Sequence, residues 1–208
     1  DLPEPGTWYE VAMVMEDANV YLYLNGVNVD ICENAGYAPS YNNNTLIGKT
    51  DFGGYHSGGL DDIRIWSRAL TESEINGNIE SNNNLEAHYN FNEGSGSLLL
   101  DHSGNNNHGI IHGAEWSNNV PVMDPPPFEE NHSLSFDGVD DYVEISTSGF
   151  PSGNSPITVE GWFKRTSFSD SPEYMMSYGS FGGSLFGIGI FYSNNMLVTF
   201  DGSDYDAI

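Results

Sequence analysis

Apolar residues alternate with polar or aromatic ones in short runs along most of the chain. In one run Val20, Leu22 and Leu24 alternate with Tyr21 and Tyr23. Successive side chains of a strand point to opposite faces of a sheet, so a period of two predicts β-strands with unlike faces. By this and similar patterns we predict strands at residues 8–15, 20–24, 27–31, 45–49, 60–66, 85–91, 133–136, 142–145, 157–165, 174–178, 184–191 and 196–200.

Two local signals mark how these strands are joined. Asn25-Gly26 tolerates positive φ at both centres of a two-residue turn, so residues 27–31 should return antiparallel to residues 20–24. Thr71 followed three residues later by Glu74 is a capping box, which predicts a short helix after the strand at 60–66. The chain is therefore expected to be all-β with one short helix.

Charge and cysteine content exclude several classes of function. The 208 residues include 30 Asp and Glu but only 5 Lys and Arg, for a formal net charge of −25. Such a surface repels nucleic acid and anionic membranes and attracts cations, so we expect neither nucleic-acid binding nor membrane insertion. Cys32 is the single cysteine, which rules out a disulfide within the chain. The composition is typical of an exported protein, and we expect Asp1 to be an internal starting point of a processed or excised piece.

Five sequence blocks carry a resemblance to a known family. Together they resemble laminin G-like domains of the concanavalin A-like superfamily, which implies a jelly-roll β-sandwich of two antiparallel sheets. The blocks are Leu-Asp-Asp-Ile-Arg-Ile-Trp-Ser-Arg-Ala-Leu at 60–70, Trp-Tyr-Glu-Val-Ala at 8–12 with Tyr-Leu-Tyr-Leu-Asn-Gly at 21–26, Tyr-Asn-Phe-Asn-Glu-Gly at 89–94 with Asp-His-Ser-Gly-Asn at 101–105, Leu-Ser-Phe-Asp-Gly-Val-Asp-Asp-Tyr-Val at 134–143, and Ile-Thr-Val-Glu-Gly-Trp-Phe at 157–163.

The order of these blocks differs from that of the family. The resemblance places residues 1–84 as the carboxy-terminal half of a laminin G-like domain and residues 85–208 as the amino-terminal half. Joining Ile208 to Asp1 would restore an uninterrupted domain. Two closures stay open: the halves pack together within one chain, or each half completes its counterpart in a neighbouring copy or repeat.

Calcium is the cofactor that the acidic segments favour. Ca²⁺ takes six to eight oxygen ligands from carboxylates, amides and carbonyls. The resemblance implies a structural Ca²⁺ near the paired first and last strands of the family, which points to Asp62. The residues that we nominate as ligands are Asp62, Asp101, Asn106, Asp137 and Gly138. The alternative is that these residues cap backbone groups at turns and strand ends.

Aromatic residues in loops suggest a surface that binds sugars. Aromatic rings stack on the apolar faces of sugars, and polar side chains bond to the hydroxyls. The alternative is that these aromatic residues belong to the core. The candidate ligand-binding residues form two groups in the sequence: Tyr37, Tyr41, Asn42, Tyr55 and His56, and then Tyr174 and Tyr178.

Catalysis is not expected. Glycoside hydrolases need two carboxylates that flank the scissile bond, and Glu160 stands alone on its strand beside Trp162. We therefore expect a non-catalytic extracellular or cell-surface module of a repetitive adhesion protein, with a glycan or a cell-surface protein as ligand. The alternatives are a purely structural repeat or filament subunit assembled by exchange between chains, and more distantly a glycoside hydrolase.

Overall fold

The computed structural model describes the chain as two antiparallel sheets and one short helix. The residues described are 3–33, 45–51, 53–79, 81–122, 131–146, 150–151, 155–168, 171–179, 185–191, 195–200 and 203–207. In chain order the elements are β1 (Tyr9–Glu16), β2 (Asn19–Leu24), β3 (Val27–Cys32), β4 (Thr45–Ile47), β5 (Ser57–Trp66), α1 (Glu72–Ile75), β6 (Leu85–Tyr89), β7 (Leu98–Leu99), β8 (Gly109–His112), β9 (Glu115–Ser117), β10 (Ser133–Asp137), β11 (Tyr142–Ile145), β12 (Ile157–Arg165), β13 (Glu173–Gly179), β14 (Leu185–Phe191), β15 (Asn195–Phe200) and β16 (Ser203–Ala207).

The first sheet has the strand order β3-β2-β1-β12-β5-β10-β9, and β6 pairs with β5 on the same edge as β10. The second sheet has the order β16-β15-β14-β13-β4-β11-β8-β7. This arrangement confirms the all-β sandwich that the sequence predicts. Strands β7, β8, β9 and β16 lie outside the predicted ranges, because runs of two to five residues are too short to show a clear period.

The main core lies between the sheets. Alternate residues of the central strands, such as Met13 of β1, Ile65 of β5 and Phe163 of β12, are fully buried there. A second, smaller apolar cluster lies on the opposite face of the first sheet. We call residues 68–76, which include α1, the α1 segment. The cluster joins Leu70 and Ile75 of this segment to Val14 and Trp66. The central strands are therefore buried on both faces where the α1 segment covers them.

Both sheets contain strands from residues 1–84 and from residues 85–208. In the first sheet β12 lies between β1 and β5, and in the second β4 lies between β13 and β11. Strands β5 and β6, which resemble the family's last and first strands, pair antiparallel with Ile63 opposite Tyr89. Each sheet is thus built from both parts of this one chain.

Candidate functional site

The candidate site lies on the outer face of the first sheet, the face turned away from the second sheet. The register aligns Ala12, Glu160, Arg64 and His88 in one row across β1, β12, β5 and β6. Their chain neighbours, such as Val11 and Ile65, point into the core. Since alternate residues of a strand share a face, the row and the residues two positions away from it lie together on the outer face. The α1 segment covers the far end of this face and leaves the rest partly accessible.

β5 has a bulge at Asp62, next to this row. Asp61 lies opposite Trp162 and Arg64 opposite Glu160, so β5 carries one residue more than β12 at this point. The extra residue is Asp62, whose φ of +44° is in the left-handed region that Asp tolerates better than most side chains.

Both carboxylate oxygens of Asp62 bind neighbouring cationic or polar groups. Its Oδ2 lies 2.8 Å from Nη2 of Arg64, and its Oδ1 lies 2.9 Å from Nε2 of His88. Asp62 therefore takes part in an ion-pair network that ties β5 to β6. The sequence nominated it as a calcium ligand, but the structure gives both of its oxygens other partners.

Glu160 is a deeply buried acid of the outer face. Its side chain is 4% exposed, the indole Nε1 of Trp66 donates to its Oε1 at 3.2 Å, and Nη1 of Arg64 lies 3.7 Å from the same oxygen. Burial raises the pKa of Glu160 to about 7, although Arg64 and the Trp66 hydrogen bond act in the opposite direction. Burial is also the main cause of the raised pKa of Glu10.

The register places Glu10 diagonally next to Glu160. Glu10 pairs with Trp162, and Ala12 pairs with Glu160, so the two glutamates share one face of adjacent strands. The sequence suggests that Glu160 is a lone carboxylate, because Glu10 is 150 residues away in the chain. We call Glu10, Asp62, Arg64, His88 and Glu160 the Glu160 cluster.

Two tryptophans flank the accessible side of this cluster. Trp162 lies beside Glu10 and is half-buried. Trp8 packs on the backbone of Gly59, donates from Nε1 to Oδ1 of Asn119 at 2.9 Å, and has the ammonium of Lys164 5.0 Å from its ring centre. We call the surface formed by Trp8, Glu10, Arg64, His88 and Trp162 the Trp face. It combines aromatic rings with hydrogen-bonding and charged groups, which is the chemistry that sugar-binding surfaces use.

The structure describes four of the residues that the sequence nominated for ligand binding, and three of these four are buried. Tyr37, Tyr41 and Asn42 lie outside the described residues. His56 is fully buried, its Nδ1 lies 3.7 Å from Oε2 of Glu173, and burial lowers its pKa to about 4. Tyr174 and Tyr178 are buried in the protein, and the Tyr178 hydroxyl donates to the carbonyl of Pro151. These three side chains therefore support the fold and are not accessible to a ligand.

Tyr55 belongs to a different surface, on the second sheet. The ammonium of Lys49 lies 5.1 Å from the ring centre of Tyr55 and 4.0 Å from that of Tyr142. The His112 ring stacks on Tyr142 with 4.4 Å between the centres and 14° between the planes. Tyr142 thus makes contacts with both a cation and a second ring, and these contacts order this part of the surface.

Asp101 organises the loop that follows β7. Its Oδ1 accepts from the backbone N–H groups of His88 and Ser103, and its Oδ2 accepts from the Ser103 hydroxyl and the Asn107 N–H. Burial acts to raise the pKa of Asp101, but these hydrogen bonds outweigh it and lower the pKa. Asn106 is exposed, with a φ of +62°. Asp101 therefore caps backbone N–H groups of this loop, which is the role that the sequence offers as the alternative to calcium binding.

The remaining calcium nominees lie at the turn between β10 and β11. Carboxylate oxygens of Asp137, Asp140 and Asp141 lie within 4.8 Å of one another, the one such group of three acidic, His or Cys side chains among the described residues. Gly138 has a φ of +81°, which the turn requires. Burial raises the pKa of Asp141, and the nearby carboxylates add to that effect. We call Asp137, Asp140 and Asp141 the acidic turn.

Comparison with known proteins gives a family match for the first part of this chain. A laminin G family model, described as the concanavalin A-like lectin/glucanases superfamily, matches residues 1–76, from the amino terminus through α1. That segment is similar to laminin G domains, in agreement with the resemblance of the sequence blocks that lie in it. The search of curated proteins and the search of solved structures each returned no match. No helix among the described residues has the length and apolar character needed to cross a membrane.

Proposed function

We propose that this chain is a non-catalytic, extracellular laminin G-like module that binds a glycan, or a protein through its glycan, on the Trp face. The observation that supports this most is the position of two half-exposed tryptophans, Trp8 and Trp162, on one accessible sheet face beside Glu10 and Arg64. Indole rings offer flat apolar faces to sugar rings, and the charged groups between them can bond to hydroxyls. A rigid sheet holds these groups in place before the ligand arrives.

The burial of Glu160 argues against hydrolysis at the same face. A general acid must reach the glycosidic oxygen within hydrogen-bond distance, directly or through one water. Glu160 is 4% exposed, and its Oε1 accepts from the indole of Trp66 on the same face. Glu10 and Glu160 are adjacent carboxyl groups, but Glu160 is too deeply buried to reach a substrate.

A glycan array followed by calorimetry on the best oligosaccharide tests this proposal. We expect Trp162→Ala to weaken binding by about tenfold or more, the scale of losing a buried aromatic contact at an interface centre. Tyr55→Ala, on the other sheet, is the matched control and should bind like the parent chain. Equal affinities for the parent and Trp162→Ala would exclude the Trp face, and a loss in Tyr55→Ala alone would move the site to the second sheet.

We further propose that calcium binds at the acidic turn. Three carboxylates lie close together there, Glu115 adds a fourth nearby charge, and the chain carries −25 overall. A cation would relieve the mutual repulsion of these groups. Asp62 and Asp101 are not part of this proposal, because both oxygens of each side chain already have partners within the protein.

Thermal unfolding in calcium and in EDTA tests this second proposal. A ligand that binds the folded state alone stabilises it by about 3 kcal/mol at a hundredfold excess over its Kd. We expect calcium to raise the melting temperature and Asp140→Asn to reduce that rise, whereas Asn106→Ala should keep it. An identical melting temperature in calcium and in EDTA, for protein first freed of metal, would refute the proposal.

Pairing within the chain favours a self-contained module over a filament built by exchange. Strand β12 has β1 and β5 of the same chain on its two edges, so neither part needs a second molecule to complete its sheet. We propose that the module is one unit of a repetitive surface or adhesion protein. A filament assembled by exchange would require these pairings to open.

A further inference from the structure

The Glu160 cluster shares Glu10, Arg64 and His88 with the Trp face, and it contains more acids than bases. Three carboxyl groups, those of Glu10, Asp62 and Glu160, share one guanidinium, that of Arg64, and one imidazole, that of His88. Arg64 binds Asp62 at 2.8 Å and approaches Glu160 at 3.7 Å. Its side chain is 20% exposed, whereas those of Asp62 and Glu160 are 2% and 4% exposed. Arg64 therefore connects two buried acids to the surface.

We propose that ligand binding on the Trp face is coupled to the protonation of Glu160, with Arg64 as the group that transmits the change. This inference rests on the proposed function, since it concerns the regulation of the same face. When Glu160 is neutral, Asp62 is the main anionic partner of Arg64, and the guanidinium can turn towards an acceptor on a ligand. When Glu160 is ionised, its negative charge holds Arg64 against the sheet.

The surroundings of Glu160 support ionisation in the neutral range. Burial raises its pKa to about 7, and the charges of Glu10 and Asp62 act in the same direction. Glu10 also has a raised pKa, caused mainly by burial. Two elements carry the other nearby charges: β5 carries Arg64 and Asp62, and β6 carries His88. The wider surroundings include Lys164 on β12, Arg68 and Glu74 in the α1 segment, and Glu93, Asp101 and His102 in the loops beside β6.

Trp66 supplies a direct report on Glu160. Its indole Nε1 donates to the carboxyl at 3.2 Å, and a hydrogen bond to an ionised acceptor is shorter and stronger than one to a neutral acceptor. The indole N–H resonance of Trp66 should therefore shift as Glu160 loses its proton. This readout needs no ligand, so it tests the switch independently of the proposed function.

The experiment combines ¹⁵N NMR of the intact chain with titration of D-galacturonate, a sugar whose carboxylate can accept from Arg64. We expect the Trp66 indole signal to titrate near pH 7 and to stop doing so in Glu160→Gln. We also expect galacturonate to bind about fivefold or more weakly at pH 8.5 than at pH 5.5, at the lower end of typical coupling between sites. In Glu160→Gln the two affinities should become equal.

The possible failures separate the two proposals. A Trp66 signal that does not titrate near pH 7, or that titrates unchanged in Glu160→Gln, overturns the coupling whatever the face binds. Normal Trp66 titration with equal galacturonate affinity at both pH values also overturns it, while the Trp face remains a binding site. Normal titration with no galacturonate bound at either pH contradicts the Trp face as a site for this sugar and removes the basis of the coupling.

Discussion

At the scale of single residues, the important relations in this protein are made by strand register. Glu10 and Glu160 become neighbours because β1 pairs with β12, and Asp62 reaches His88 because β5 pairs with β6. The local sequence around each of these residues is that of an ordinary strand and does not reveal these contacts. The chemistry of the outer face arises when four strands from distant parts of the chain align.

The first prediction at this scale concerns Glu160 and pH. Its pKa in the folded state is about 7, above its ordinary value of 4.5, so the unfolded chain releases this proton more easily. Neutral Glu160 therefore contributes fully to the free energy of unfolding below about pH 4.5. This contribution is lost as the pH rises through 7. Glu160→Gln keeps an acceptor for Trp66 but has no proton to lose. We therefore expect the unfolding free energy of the parent chain to fall relative to that of Glu160→Gln by up to about 3 kcal/mol between pH 4 and pH 8.

Urea unfolding of the parent chain and of Glu160→Gln at pH 4, 6 and 8 provides the measurement. The difference between the two proteins should grow through this range. A difference that stays constant from pH 4 to pH 8 would mean that Glu160 ionises equally well in the folded and unfolded states.

The second prediction concerns Gly58 of β5, where φ is +150° and an added Cβ would overlap the carbonyl of Lys164. That carbonyl belongs to the adjacent strand β12 and cannot move without disturbing the sheet. We expect Gly58→Ala to lower the free energy of unfolding by about 2–4 kcal/mol. Gly104→Ala is the matched control, because Gly104 also has a positive φ, +97°, but no atom lies within 4 Å. Similar losses in both variants would show that backbone strain, and not the clash, sets the cost.

The sequence predicted the elements better than the surroundings of individual side chains. The aromatic residues Tyr174 and Tyr178 looked like loop and strand-end candidates for a ligand site, yet both are buried. Tyr174 fits because Gly54 and Gly187 leave room for its ring, and these glycines come from different elements. A pattern along the chain carries no signal for such contacts, because they depend on which strands become neighbours.

At the scale of elements, the α1 segment decides which part of the outer face is accessible. The predicted capping box is confirmed: the Thr71 side chain accepts from the Glu74 N–H, and the Glu74 carboxylate accepts from the Thr71 N–H. Arg68 binds Glu74 at 2.7 Å, and Asn76 donates to the carbonyl of Gly26 in the β2–β3 turn. A four-residue helix has little stability by itself, so these contacts and the apolar cluster beneath it hold it in place.

Thr71 offers a test of that arrangement. We expect Thr71→Ala to cost about 1 kcal/mol of unfolding free energy, the usual value for the loss of an amino-terminal cap. Thr71→Ser keeps the hydroxyl and should cost much less. Urea unfolding at neutral pH measures both variants, and a Thr71→Ala variant as stable as the parent would show that packing alone positions the segment.

Each edge of the first sheet has one feature that limits pairing with other chains. β9 has three residues, and at the other edge the Oδ1 of Asp30 accepts the N–H of Ile31 in β3 at 2.8 Å. Short edges and inward-bonding carboxylates are features that limit addition of further strands. At the element scale the fold therefore favours a separate module.

At the scale of the whole molecule, we propose that the chain is one laminin G-like sandwich whose strand order is circularly shifted. The resemblance of β5 and β6 to the family's last and first strands motivates this proposal, and in the structure these two strands pair. The connection between them is held in place, because Ser67 N–H donates to the Asn84 carbonyl at 2.8 Å and Arg68 Nε donates to the Asn83 carbonyl at 3.3 Å. Exchange between chains across residues 81–84 would have to break these bonds.

The sequence blocks predicted the fold class, which the structure confirms, and a shifted order of the two halves, which stays a prediction. They left open whether the halves close within one chain, because the same strand pairings can form within a chain or between chains. That choice depends on the connection between β5 and β6 and on what covers it, which a pattern of apolar residues does not encode.

The most direct test of the central claim is an isotope-filtered NOE experiment on a mixture of differently labelled chains. Tyr9 of β1 and Phe163 of β12 stack with 5.9 Å between ring centres, so their protons should give strong NOEs. We expect these NOEs within a single labelled chain and none between differently labelled chains. The same NOEs seen between chains would establish exchange, and their absence from both spectra would contradict the pairing of residues 1–84 with residues 85–208 altogether.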